Sequence, residues 1–171
     1  MTVQLDALDV DLITALPAHS RVGILELSRT LRVARGTVTA RLNRLEEVGV
    51  ITGFGPVVDV AAAGYELQAF VTLEIAQGAL DDVAAELSAQ PNVLEAYATT
   101  GSSDLLCRIA AASYEDFQQV LLMLNRSPTI SRSTSVVILS VVVPPRTVPL
   151  LERSPRSRPK RAPAYRPDSG T

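Results

Sequence analysis

Arg35, Thr37, Arg41 and Arg44 lie within ten consecutive positions and present hydrogen-bond donors, three of them permanently cationic. Guanidinium groups pair with phosphates and with the O6/N7 edge of guanine, so the set suits the backbone and major groove of duplex DNA. Such chemistry needs a helix that turns all four outward. Val38, Leu42 and Leu45 recur at helical spacing and supply the opposite, buried stripe. Arg44 can reach Glu47 at i+3, whereas Arg41 is flanked at i±4 by Thr37 and Leu45 and has no carboxylate within reach along its own helix.

Just upstream, Ile24, Leu27, Ser28 and Leu31 write a second stripe, so the stretch reads as two short amphipathic helices joined by a tight turn, a helix-turn-helix. A third helix precedes the pair, with Leu5, Leu8, Leu12, Ile13 and Leu16 on one side and Pro17 closing it. Gly49 suits a helix C-terminus. The β-branched run from Val50 to Asp59, broken by Gly and Pro, predicts a strand or wing that completes a winged unit over residues 1–60.

Residues 61–143 alternate strand and helix patterns. Gln68 to Ala76 puts Ala69, Val71, Leu73 and Ile75 on one face; Leu80, Val83, Ala84 and Leu87 form a helical stripe; Val93 to Thr100 is extended again. Asp104 to Ala110, with Leu105, Cys107 and Ile109 on one side, precedes a helix marked by Phe117, Val120, Leu121 and Leu124. Ile130 to Val143 reads as a long last strand with both alternating sets apolar. The order βαββαβ is that of a ferredoxin-like domain, whose helices cover one sheet face only. A second copy of the chain is the expected cover for the other face. The fold class is therefore α+β, a winged helix-turn-helix followed by a ferredoxin-like domain.

The net charge of −2 hides an asymmetry. Residues 1–55 hold six Arg and six acidic groups, residues 56–143 three Arg against ten, and residues 144–171 seven Lys/Arg against two, or 0, −7 and +5. Five of the first six Arg lie between Arg29 and Arg44, where the basic face is expected. The tail, residues 144–171, has seven of the eleven prolines and reads as disordered. It is either a dispensable extension or a basic arm attracted to phosphate. With no run of roughly 18 apolar residues and no signal-peptide start, the expected location is the cytoplasm. Cys107 alone supports neither a disulfide nor a cysteine zinc site, and reads as a buried, inert thiol. His19, the sole histidine, reads as a solvated loop residue; no metal site and no cofactor are expected.

Three segments together resemble the Lrp/AsnC family of bacterial and archaeal transcription regulators: LDALDVDLITAL, LSRTLRVARGTVTARLNRLEEVGVITGF and VLEAYATTGSSDLLCRI. The resemblance covers about residues 5–143. It implies DNA recognition by the N-terminal unit, dimerisation through the sheet of the second domain, further assembly in many members, and a small-molecule effector, usually an amino acid, bound between effector domains. Thr100-Gly101-Ser102-Ser103-Asp104 matches the family's Gly-x-x-Asp turn. By that likeness it lines the effector site, where backbone N–H groups hold an α-carboxylate and Asp104 pairs with an α-ammonium. Thr134 and Ser135 of a neighbouring subunit are further candidates. By composition alone the same residues form a plain turn, with Gly supplying φ > 0 and Asp capping the next strand.

Two positions depart from the family pattern. Arg32 stands where a turn glycine is usual, and Ala34 where a serine caps the reading helix, each at a cost of about 1 kcal/mol. Thr37 could compensate by capping a helix that starts later, which would shift the exposed face. The sequence leaves two other readings open. One is an architectural protein that coats DNA broadly; the other is an enzyme like the tetrapyrrole decarboxylases that share this fold, although the second domain has no histidine for acid–base work.

Overall fold

The computed structural model describes residues 3–18 and 23–153, which form two compact units. One comprises Met1–Gly55 with Pro144–Thr171, the other Pro56–Val143.

In the first unit the expected apolar stripes become α1 (Ala7–Ala18), α2 (Ile24–Thr30) and α3 (Arg35–Glu47). Leu12, Leu27, Val38 and Leu42 meet in the core, with Leu8, Leu16, Leu31, Val33 and Ile51 packed around them. Pro17 does not close α1, which runs one residue past it. In the last turn a proline forfeits only one ladder bond, so the helix tolerates it there. Gly49 sits at φ 72 after α3 and lets Val50 N–H return to Leu45 C=O at 2.9 Å, the left-handed stop expected of it. The run from Val50 to Asp59 forms no strand: residues 53–59 have no ladder partner among the described residues, and Val57 is fully exposed. β-propensity becomes a strand only where a neighbour offers its N–H and C=O groups.

The second unit is a four-stranded antiparallel sheet of β1 (Leu67–Ile75), β2 (Val93–Ala98), β3 (Leu105–Ala111) and β4 (Ile130–Val137), in the order β2-β3-β1-β4. Helices α4 (Leu80–Ser88) and α5 (Tyr114–Leu124) complete the βαββαβ order. Ala69, Val71, Leu73, Leu105, Cys107 and Ile109 pack against Val83, Leu87, Phe117, Val120 and Leu124. Burial pushes the Cys107 thiol up to about 11, in keeping with an inert core residue. At the N-terminus of α5, Ser113 Oγ accepts from Asp116 N–H at 3.1 Å while Asp116 accepts from Ala112 N–H at 2.9 Å, which fixes where that helix begins.

β4 is shorter than its apolar run suggests. It ends at Val137, opposite Ala69, with one more bond from Ile138 N–H to Gln68 C=O at 2.8 Å. Beyond that point the pairing with β1 stops, and Leu139, Val141, Val142 and Val143 stand exposed. The tail is not structureless throughout either: α6 (Val148–Glu152) forms within it and packs against α1. Pro149 presets the backbone of its first turn, and Val148 and Leu151 are half-buried. Residues 154–171 of the tail, and His19, lie outside the described residues.

Candidate nucleic-acid interface and effector site

The start of α3 is as costly as its sequence implies. Arg32 takes φ 54, and Ala34 occupies the N-cap with extended backbone and no side-chain cap. Thr37 does not begin a later helix: its N–H already bonds to Ala34 C=O at 3.0 Å. Arg32→Gly and Ala34→Ser are accordingly expected to raise stability by about 1 kcal/mol each, additively, in urea or thermal melts.

The burial of Val38, Leu42 and Leu45 orients the helix as expected, but its outward face is not the arginine set. Arg35 and Gly36 are exposed at the N-terminal end, followed by Ala40, Asn43 and Glu47; Thr37 is half-buried. Arg41 and Arg44 turn toward α1. Arg41 Nη1 bonds to Asp6 Oδ2 and, at 3.0 Å, to Asp9 Oδ1; Arg44 Nη2 reaches Asp9 Oδ2 at 2.7 Å. Asp6 and Asp9 also accept each other's backbone N–H, at 2.9 and 3.0 Å, a reciprocal cap on the first turn of α1. Asp9 is wholly buried. Burial pushes the Asp6 carboxyl up, but the Asp9 amide and the Arg41 guanidinium outweigh it and hold it below the usual range. Arg44 Nε is a buried donor with no partner among the described residues.

Arg41 thus has two partners, Asp6 just before α1 and Asp9 in its first turn. Asp6 and Asp9 are the residues that helix-by-helix reading missed, although the D-x-x-D spacing at the head of α1 was a visible sign of a reciprocal cap.

In the sheet unit, the turn from Thr100 to Asp104 joins β2 to β3. Gly101 takes φ 126, and Thr99 closes the turn by bonding through N–H to Asp104 C=O at 2.9 Å and through Oγ1 to Ser103 C=O at 2.8 Å. Thr100, Gly101 and Ser102 are exposed and Ser103 is half-buried. Asp104 Oδ2 accepts from Ile75 N–H at 2.8 Å, at the register shift that ends β1. One carboxylate oxygen is thereby tied to the strand rather than turned into the loop.

Thr134 and Ser135 lie on β4, opposite Thr72 and Val71. They do not meet the turn within one chain, because β1 intervenes and two strand spacings are about 10 Å. Strand alternation also sends their side chains to opposite faces.

The sheet face away from the helices carries Phe70, Tyr97, Leu106 and Val136, with Phe70 directly opposite Val136. A polar chain crosses it. Arg108 donates to Glu95 at 3.1 Å and to Gln68 at 2.9 Å, and Tyr97 OH donates to Glu95 at 2.9 Å. No helix among the described residues is long and apolar enough to cross a membrane.

Comparison with known proteins agrees with this architecture. Residues 5–52 match the family model described as winged helix-turn-helix DNA-binding, and residues 68–148 match the Lrp/AsnC ligand binding domain. The HTH-type transcriptional regulator FL11 of Pyrococcus furiosus is 31% identical over 137 residues, which span 80% of this chain and 91% of that protein. The structure of E. coli AsnC superposes with a TM-score of 0.79 at 23% identity, covering 86% of this chain and all of that one. A transcriptional regulator from Neisseria meningitidis, solved as its L-Met complex, gives 0.75 at 24% identity, over 82% of this chain and 93% of that one. With both of its units accounted for, the chain belongs to the Lrp/AsnC family of DNA-binding transcription regulators.

Proposed function

We propose that this regulator reads discrete operators as a homo-oligomer and changes its DNA affinity when an amino acid binds its sheet domain. The observation that carries the reading is the pairing of an exposed α3 N-terminal end with a separate domain of ligand-binding type. Arg35 and Thr37 are the primary DNA contacts. Arg41 and Arg44 contribute charge from the flank of α3, where they are shared with Asp6 and Asp9. The backbone of Thr100 to Ser103 takes the effector carboxylate; Asp104 shapes that turn from its anchor on β1 and offers its remaining oxygen to the ammonium group. Thr134 or Ser135 is supplied by a second copy. The L-Met complex of the Neisseria regulator supports an amino acid as the effector class. The uncovered face around Phe70 and Val136 supports assembly through the sheet.

Footprinting and calorimetry test the proposal together. Discrete protected half-sites are expected, centred about 34 Å apart or at a multiple of that spacing. Among the twenty amino acids, an effector at 100 times its Kd should add about 2.7 kcal/mol of stability. Continuous coating without preferred sites would favour the architectural reading. If no amino acid shifts the melting curve, the effector assignment fails.

A further inference from the structure

Three guanidinium groups surround the turn between α2 and α3. Arg29, Arg32 and Arg35 fall within seven consecutive positions and are all exposed. Among the described residues none of them forms an ion pair, whereas Arg41 and Arg44 share Asp6 and Asp9. Glu26 stands three positions before Arg29, within reach along α2, and is not paired with it either.

Backbone hydrogen bonds fix the place of Arg32. Val33 N–H bonds to Ser28 C=O at 3.0 Å and Arg32 N–H to Arg29 C=O at 3.3 Å, the double closure of a Schellman motif with Arg32 in its left-handed position. Val33 packs against the three-helix core while Arg32 stays exposed. Glycine suits that position best, and the Arg32 side chain makes no hydrogen bond or ion pair among the described residues that would offset the strain. A strained, exposed cation on the DNA-binding unit points to a contact outside the chain.

We propose that Arg29 and Arg32 bind phosphates of the strand that borders the groove read by α3, so that the turn holds the backbone while the start of α3 meets the bases. This rests on the DNA-binding reading and adds to it two residues outside α3. In a docked helix-turn-helix the first helix of the pair crosses the sugar–phosphate backbone and the first residues of the second reach the base edges. The end of α2 and the turn then lie over phosphates, to which guanidinium is matched in shape and charge. A purely local role makes the opposite prediction for stability. Cations at the C-terminus of α2 would serve its dipole, and Arg32→Gly would then lower the melting temperature.

The test titrates Arg32→Gly, Arg32→Lys and the double variant Arg29→Gln/Arg32→Gly on operator and on random duplex across a range of salt. Arg132→Gln, which removes an exposed cation from the sheet domain, controls for net charge. Arg32→Gly should melt about 4 °C higher than wild type and yet bind both duplexes more weakly. Each lost phosphate contact removes about 0.9 from the slope of log K against log salt, hence about 0.9 per protomer for Arg32→Gly and about 1.8 for the double variant. Extrapolated to 1 M salt, that slope corresponds to about an eightfold loss of affinity per contact near 100 mM. Protected half-sites should be unchanged, and Arg32→Lys and Arg132→Gln should keep the wild-type slope.

A wild-type slope in the double variant would overturn the proposal while leaving the operator reading intact. An equal loss in Arg132→Gln would reduce the effect to net charge, and a loss confined to operator would make the turn a base reader; either result overturns the phosphate assignment. If the wild-type chain binds no duplex at any salt, the DNA-binding reading falls first and the turn contact with it.

Discussion

Asp9→Ala is expected to lower the stability of the DNA-binding unit by about 3 kcal/mol, near the bottom of the range for breaking a buried ion pair. Asp9 has no exposed surface and accepts three hydrogen bonds, from Asp6 N–H, Arg41 and Arg44. Removing it dissolves half the cap on α1 and both ties from Asp9 to α3. The loss stays near the lower limit because the Arg41 and Arg44 side chains are 26% and 43% exposed and can recover water. Arg41→Ala should cost a comparable amount, since it leaves a buried carboxylate with one cation fewer. Urea titration checks both through the midpoint at constant slope; a change under 1 kcal/mol would show the network to be dispensable.

The same cluster sets an acid limit. Asp6 has a folded-state carboxyl held below its ordinary value of 3.8, so its contribution is fully present above that pH and is lost as pH falls through the folded value. Wild-type stability should therefore decline below about pH 4 more steeply than that of Arg41→Ala.

The second large effect is expected from Val136→Glu, which should convert the proposed sheet-to-sheet dimer to monomers. Val136 is 63% exposed, its cross-strand neighbour Phe70 40% and Tyr97 54%, all on the sheet face opposite the one that α4 and α5 pack against. In a two-fold interface each substitution appears twice. Two unpaired carboxylates in an apolar contact cost several kcal/mol, and about 4 kcal/mol weakens dimerisation roughly a thousandfold. The core on the opposite face is untouched, so the melting curve of the monomer should remain cooperative. Sedimentation at micromolar concentration reads the outcome; a dimer that persists would mean that subunits meet elsewhere.

Periodicity made the helices and the sheet order legible. Val38, Leu42 and Leu45 repeat at the helix period, and Leu105, Cys107 and Ile109 at the strand period, so burial on one side wrote both patterns into local sequence. The cost at Arg32 was legible for the same reason, because a turn conformation depends on the residue that adopts it. What local spacing could not carry were partners far along the chain. Arg41 reads as solvent-facing because its carboxylates lie 35 and 32 positions away, and Asp104 reads as free because the Ile75 amide that occupies it is 29 positions away. The apolar run of 136–143 likewise says nothing of where pairing with β1 stops, which is what ends β4. For the candidate sites, the glycine turn was legible as a turn, whereas the outward face of α3 was not, since Arg41 and Arg44 face α1.

The path of the backbone has a topological consequence. The sheet domain is inserted between two pieces of one unit, Met1–Gly55 and Pro144–Thr171, and α6 on α1 closes the circuit without a covalent bond. The polypeptide is a loop rather than a string. A single cut in the connector before Leu67 leaves the two fragments joined only by the five-residue clasp of α6 on α1.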